Sequence, residues 1–113
     1  MSIKRLLFGV TTALFAVLLN LNAVYAGEDH KAEALKHVQA AIDTGKAGDA
    51  KAATEHLEQA KTHAAAANKE KPSVHLDAAI QSLDKGIEHG KMGHGGMTVQ
   101  PAEEAMTHIK AAN

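Results

Sequence analysis

Residues 42–49 read IDTGKAGD, and residues 87–94 read IEHGKMGH. Each stretch follows apolar residues spaced three and four apart, which is the spacing of one face of an α-helix. Glycine favours helix ends and tight turns, so each Gly-Lys-x-Gly segment predicts a turn between two helices. We therefore expect two helical hairpins, one around each of these turns.

The two turns belong to a longer internal repeat. Residues 30–68 align with residues 75–113 at an offset of 45 without a gap, and thirteen of the thirty-nine positions are identical. One small hairpin cannot bury its own apolar face, so two copies should pack against each other. The prediction is an all-α, up-down-up-down antiparallel four-helix bundle built from two duplicated hairpins, over about 29–68 and 73–113.

Capping residues place the predicted helix ends. Asp49 and Ser73 are good N-caps, because their short side chains accept hydrogen bonds from free backbone N–H groups. Gly45 is placed just past the end of the first helix, and Gly90 just past the end of the third. Pro101 falls in a first turn, where its missing N–H costs little. The predicted helices run over about 29–44, 49–68 and 73–89, and from about 98.

All eight histidines fall on a seven-residue grid. Seven residues make two helical turns, so each helix carries its histidines in one stripe. With the apolar positions assigned to the core, these stripes should lie on the flank or outer surface of the bundle. Imidazole is the commonest protein ligand for transition metals. The candidate metal ligands are His30, His37, His56, His63, His75, His89, His94 and His108.

The histidines also pair across each turn. In an antiparallel hairpin, residues equidistant from the turn lie at the same height. This register pairs His30 with His63, His37 with His56, His75 with His108 and His89 with His94. Whether the paired rings converge depends on the turning direction of the bundle, which the sequence leaves open. In both cases the spacing allows two-histidine sites with open positions for water.

A carboxylate extends the ligand set in the first hairpin. Glu33 lies three residues after His30 and four before His37, so the three side chains share a helix face. Mixed ligation by imidazole, carboxylate and water suits Cu(II), Ni(II) and Zn(II), and affinity among these ions generally peaks at copper.

The second turn differs from the first in its donors. His89, Met92, His94 and Met97 lie within nine residues that include four glycines. Thioethers are soft ligands that favour Cu(I), so this turn is the best single candidate for a tight copper site. Met92 has no evident core role and is a candidate ligand, whereas Met97 is interpreted as a core filler.

The first twenty-six residues are predicted to form a cleavable export signal. Lys4 and Arg5 precede a mostly apolar run, and small residues before a cut after Ala26 complete the pattern. An uncleaved membrane anchor is the alternative. Residues 27–113 would then form one metal-binding domain, a monomer without membrane contact after cleavage.

The composition of residues 27–113 restricts the function. Ten lysines face thirteen acids, which gives a net charge of −3 with histidine neutral and no basic patch for nucleic acid. The sequence shows no recognisable catalytic set of a nucleophile, a general base and a residue that orients the base, so an enzyme is not expected. Metal ions are the expected partners. The rival hypothesis is a structural or interaction bundle whose histidines sense pH.

Three segments carry a resemblance to a known family: ALKH at 34–37, EHLEQAKTH at 55–63 and GIEHGKMGH at 86–94. In this order, with the signal and without cysteine, the chain resembles the small metal-binding protein family, histidine-rich periplasmic four-helix bundles of ammonia-oxidising bacteria. The resemblance implies reversible binding of several divalent metals, copper foremost, for metal buffering or tolerance in the periplasm. Four grid positions hold another residue where a histidine would fit: Thr44, Asp49, Ser82 and Pro101.

Overall fold

Four α-helices make up the part of the chain that the structure, a computed structural model, describes, residues 29–113. They are α1 (His30–Lys46), α2 (Ala50–Glu70), α3 (Val74–Lys91) and α4 (Val99–Ala111), with a 3-10 turn at Gly95–Thr98 before α4. No strand occurs within residues 29–113, so the all-α prediction is confirmed. None of these four helices is long and apolar enough to cross a membrane. The predicted signal, residues 1–26, lies outside the described residues.

The predicted N-caps are present. The Asp49 carboxylate accepts a hydrogen bond from the backbone N–H of Ala52 at 3.0 Å, and the Ser73 hydroxyl accepts from the N–H groups of His75 and Leu76. These bonds satisfy backbone donors that have no partner inside a first helical turn. The starts of α2 and α3 are therefore fixed by the residues that the sequence indicated.

The glycine positions correct the predicted helix ends. Gly45 and Gly90 lie inside α1 and α3, so placing them past the helix ends is wrong. The left-handed conformation belongs to Gly48 (φ 78°) and Gly93 (φ 82°), three residues later, where a side chain would be strained. Gly45 is needed for space instead, because a Cβ there would collide with the Thr98 hydroxyl.

The helices surround a core that is rich in alanine. Helix α1 packs against α2 and α4, and α3 packs against the same two helices, an arrangement consistent with a four-helix bundle. Nine of the sixteen buried residues in the core cluster are alanine, so the helices approach closely but bury little apolar surface per residue. The larger buried core residues are Val38, Ile42, Leu57, Leu76, Leu83, Ile87 and Ile109.

The 3-10 turn closes one end of the helices and is firmly anchored. Thr98 is fully buried, and its hydroxyl donates to the backbone carbonyl of Gly95 at 2.6 Å. Gly95 lies so close to the backbone of Gly48 that an added Cβ would be 2.8 Å from its carbonyl carbon. The turn is thereby pressed against the loop between α1 and α2, and it contacts all four helices.

Candidate metal centre

The histidines of α1 and α2 meet in the groove between these helices. The Nδ1 atoms of His30 and His63 are 3.1 Å apart, and their ring centroids are 5.4 Å apart. A hydrogen bond at this distance requires one Nδ1 to carry a hydrogen and donate it to the lone pair of the other. The predicted level pair at this height is confirmed.

The row of rings continues along the groove. His37 stacks on His56, its partner at the same predicted height, with centroids 5.8 Å apart. It also stacks on His63 at 5.7 Å, with the two ring planes only 7° apart. The Nδ1 of His56 is buried and has no hydrogen-bond partner among residues 29–113. The histidine stripes of α1 and α2 therefore both face the groove between these two helices. The sequence had left this turning direction open. We call His30, His63, His37 and His56 the histidine row.

A carboxylate joins this row at its middle. Glu33, His37 and His63 each offer one ligand atom, and these atoms all lie within 4.8 Å of one another. Donor atoms that bind one ion at about 2.0–2.2 Å lie at most about 4.4 Å apart, so small side-chain rotations would complete the geometry. The residues present therefore fit a transition-metal ion.

Lys36 competes for the same carboxylate. Its ammonium lies 3.1 Å from the Oε1 atom of Glu33, and its side chain is mostly exposed. An exposed ion pair of this kind contributes about 0–1 kcal/mol, so a metal ion can displace the lysine at small cost.

Two of the four rings in the histidine row lie deeper than the predicted flank or outer surface, and the other two are partly exposed. His63 and His30 are only 6% and 9% exposed, although neither belongs to the apolar core cluster. Alanine supplies half of the buried residues of α1 and α2, and these small side chains let the helices approach closely around the rings. The Nε2 of His30 lies 3.6 Å from a Glu70 carboxylate oxygen at the end of α2.

Burial also changes the acidity of one ligand. The pKa of His37 is lowered from its ordinary value of 6.5, chiefly because burial disfavours the charged ring and then because His63 and His56 are close by. Lys36 acts in the same direction, and Glu33 opposes it. A lowered pKa keeps the imidazole neutral, and a neutral ring is the form that binds a metal.

The second hairpin repeats only part of this arrangement. His75 and His108 pair as predicted, with ring centroids 6.0 Å apart and the rings tilted. Ser82 stands 45 residues after His37, and Ala78 stands 45 residues after Glu33. The pair of His75 and His108 thus has no counterpart of Glu33 or of His37 beside it.

Among residues 29–113, the rings of His89 and His94 do not contact each other. Helix α3 continues two residues beyond His89, and the chain then enters the 3-10 turn before α4 begins. His94 caps that turn and is exposed, so it is not on a helix and the seven-residue grid does not apply to it. The backbone N–H of His94 donates to the carbonyl of His89 at 3.0 Å, so the two residues are neighbours across the turn although their rings do not stack.

The methionines of the second turn face outward. Met92 is 60% exposed and Met97 is 54% exposed, so interpreting Met97 as a core filler is wrong. Met97 instead lines a surface cleft together with His89. The sequence places both residues in the candidate copper turn, and the structure adds the cleft that they share.

Imidazoles and a carboxylate converge in one groove of this small helical protein. This arrangement is that of a histidine-rich helical protein suited to holding a metal ion. A family model described as "Small metal-binding protein" matches residues 4–112, and the chain belongs to this family. The predicted resemblance is confirmed, and the family is one of metal-binding proteins rather than of enzymes. No curated protein matches the chain.

Proposed function

We propose that this protein reversibly binds divalent transition metals, copper foremost, and that it acts as a metal-buffering or tolerance protein rather than an enzyme. The observation that carries the proposal is the convergence of donor atoms from Glu33, His37 and His63 within 4.8 Å. Imidazole and carboxylate together suit Cu(II), Ni(II) and Zn(II), and copper generally binds most tightly among them.

The contact between His30 and His63 supports the same proposal. Two nitrogens 3.1 Å apart, each about 2.0–2.1 Å from one ion, subtend roughly 95–100° at that ion. This angle lies between the square-planar and tetrahedral values, so both Cu(II) and Zn(II) are compatible with it. The ion would take the place of the hydrogen that now lies between the two Nδ1 atoms, and each neutral ring would then carry its proton on Nε2.

The proposed ligands fall into two groups. The groove of the first hairpin supplies the tightest site, through Glu33, His30, His37, His63 and, by ring rotation, His56. Additional ions would be recruited at higher metal concentration by residues of the second hairpin: His75, His89, Met92, His94 and His108. The protein would work as a monomer, because all the ligands of the tightest site come from one chain.

The finer architecture is part of this proposal. We infer that the helices run up-down-up-down as two antiparallel, duplicated hairpins. The level contacts of His30 with His63, His37 with His56, and His75 with His108 support this register. The gapless repeat at an offset of 45 supports the duplication.

The cellular setting is proposed from the sequence alone. Residues 1–26 have the pattern of a cleavable export signal, and residues 27–113 would act in the periplasm. A buffering protein there would hold copper reversibly without a disulfide framework, because the chain has no cysteine.

Two matched variants test the proposal by Cu(II) calorimetry at pH 7.5 on the protein recovered from expression of the full chain. One carries glutamine at the four positions of the histidine row. The other carries glutamine at the four remaining histidines, so both lose the same number of imidazoles. We expect the first variant to lose the tightest binding and the second to keep it.

The comparison also separates metal binding from the rival function as a pH-sensing structural bundle. Equal losses in both variants, or a parent protein that binds Cu(II) no better than the first variant, would remove the proposed site. Partner release or unfolding between pH 7 and 5.5, with Cu(II) making no difference to it, would favour the rival.

A further inference from the structure

A second ligand-bearing region lies on the opposite hairpin, at the junction of α3, the 3-10 turn and α4. A surface cleft of about 420 Å³ occurs there, and the side chains of His89 and Met97 both line it. Glu104 and Lys85 also line this cleft. An imidazole and a thioether that are separated by eight residues in sequence thus share one concave surface.

Neither donor atom has a hydrogen-bond partner in the described part of the chain. Met97 is 54% exposed, so its thioether is not held in the apolar core. The Nδ1 of His89 is buried and has no hydrogen-bond partner in the described part of the chain. A buried imidazole nitrogen normally has such a partner, and one without it is a candidate for an ion or a water. No protein hydrogen bond at Nδ1 selects a tautomer, so the ring can present a lone pair to an ion.

The cleft is held in place by the turn beneath it. Thr98 follows Met97 directly, is fully buried and donates its hydroxyl hydrogen to the Gly95 carbonyl. This anchor fixes the backbone that carries the thioether. A ligand whose backbone is already positioned loses less conformational entropy when it binds an ion.

The charges around the cleft differ from those of a divalent-metal site. The ammonium of Lys85 and the carboxylate of Glu104 line it together, so their formal charges cancel. With no net charge from the walls, the chemistry of the donor atoms decides which ion binds. Thioether sulfur and imidazole favour soft ions such as Cu(I) over hard divalent ions.

The first hairpin offers no counterpart to this set. The residues 45 positions before His89, Met97 and Glu104 are Thr44, Ala52 and Gln59. The Thr44 hydroxyl is already used, since it donates to the backbone carbonyl of Ala40 at 2.8 Å. The two halves of the repeat thus carry different donors at different heights.

We propose that His89 and Met97 form a second, separate metal site that takes a soft monovalent ion, Cu(I) or an ion like it, with Glu104 beside it. This site deepens the proposed metal binding, in which His89 is already among the weaker ligands of the second hairpin. It shares no ligand with the histidine row, so it can fail independently of the tightest site. The protein would then hold copper in either oxidation state, each at its own hairpin, and no electron transfer by the protein is required.

Silver(I) is the probe, because it is soft and monovalent and needs no reductant. The protein recovered from expression of the full chain would carry ¹³C-methyl methionine and be titrated with Ag(I) while its methyl resonances are recorded. We expect the Met97 methyl to shift first. M97L should lower the Ag(I) affinity of this site at least about tenfold, since even outer-shell changes at metal sites cost about 10–100-fold.

M106L is the matched control, because Met106 is half-buried and packs against the core. Its Ag(I) affinity should equal that of the parent protein. A first shift at Met92 with Met97 unchanged, or equal Ag(I) affinity in M97L and the parent, would overturn the inference. Cu(II) calorimetry on M97L should match the parent protein, so a failure of the histidine row would be seen separately from a failure of this cleft.

Discussion

Replacing His63 with glutamine tests the centre of the histidine row, because this ring contacts both His30 and His37 and belongs to the three-ligand cluster. His108 is the matched position in the second hairpin, 45 residues later, where the ring contacts His75 with centroids 6.0 Å apart. H63Q and H108Q therefore remove the same group from repeat-related sites that differ in their other ligands.

The expected magnitudes follow from these contacts. Without metal, H63Q loses the 3.1 Å nitrogen contact and leaves the buried His30 without its partner, a cost of about 1–3 kcal/mol. At a free-metal concentration about 100 times the parent Kd, binding adds about 2.7 kcal/mol to the free energy of unfolding. If H63Q weakens binding by about 10–100-fold, that gain falls to about 1.4–0.4 kcal/mol at the same concentration.

Thermal unfolding followed by far-ultraviolet circular dichroism measures both effects. For a domain of this size, each 1 kcal/mol shifts Tm by about 4–8 °C. Cu(II) should therefore raise the Tm of the parent protein by roughly 10–20 °C, and that of H108Q by nearly as much. H63Q should show a metal-induced rise of only roughly 2–10 °C. A rise in H63Q equal to that in H108Q would refute the assignment of His63 to the tightest site.

Three further predictions concern charge, pH and packing. In a metal-free pH titration, the free energy of unfolding should fall as pH drops below about 6.5. The reason is that the lowered pKa of His37 makes the folded chain bind fewer protons than the unfolded chain. H37Q should reduce this dependence of stability on pH. K36Q should raise Cu(II) affinity in calorimetry by up to about fivefold, because the ion pair with Glu33 contributes about 0–1 kcal/mol; binding weaker than that of the parent protein would contradict it. G45A should lose about 1–3 kcal/mol in urea denaturation by crowding the neighbouring turn, whereas G96A, with open space around its Cβ, should not; equal losses would disprove the packing argument.

The helices and much of the site were predictable because their signals are local. Spacing of three and four residues indicated the helix faces, and Asp49 and Ser73 marked the helix starts that the structure shows. Register alone predicted that His30 lies level with His63 and His75 with His108, and the structure shows that these rings also meet. These predictions needed only helical periodicity and a short turn.

The remaining features depend on how the helices pack, which one sequence does not specify. The cross-layer contact of His37 with His63 requires the helices to approach closely in the correct turning direction. Gly45 was misplaced because its reason is the Thr98 side chain, 53 positions away in sequence. His94 lies before α4, at the start of a 3-10 turn, and helical periodicity does not place a ring that is outside a helix.

The alanine-rich core has a consequence for how long the protein survives in a cell. A core with so few large side chains gives the metal-free protein a small free energy of unfolding. An ion bound in the groove would therefore contribute a large share of the stability of the folded state. Chains without metal would open more often and be degraded sooner by proteases that attack unfolded segments. On the proposed function, the abundance of this protein would rise with the supply of the ion it stores, without any change in transcription.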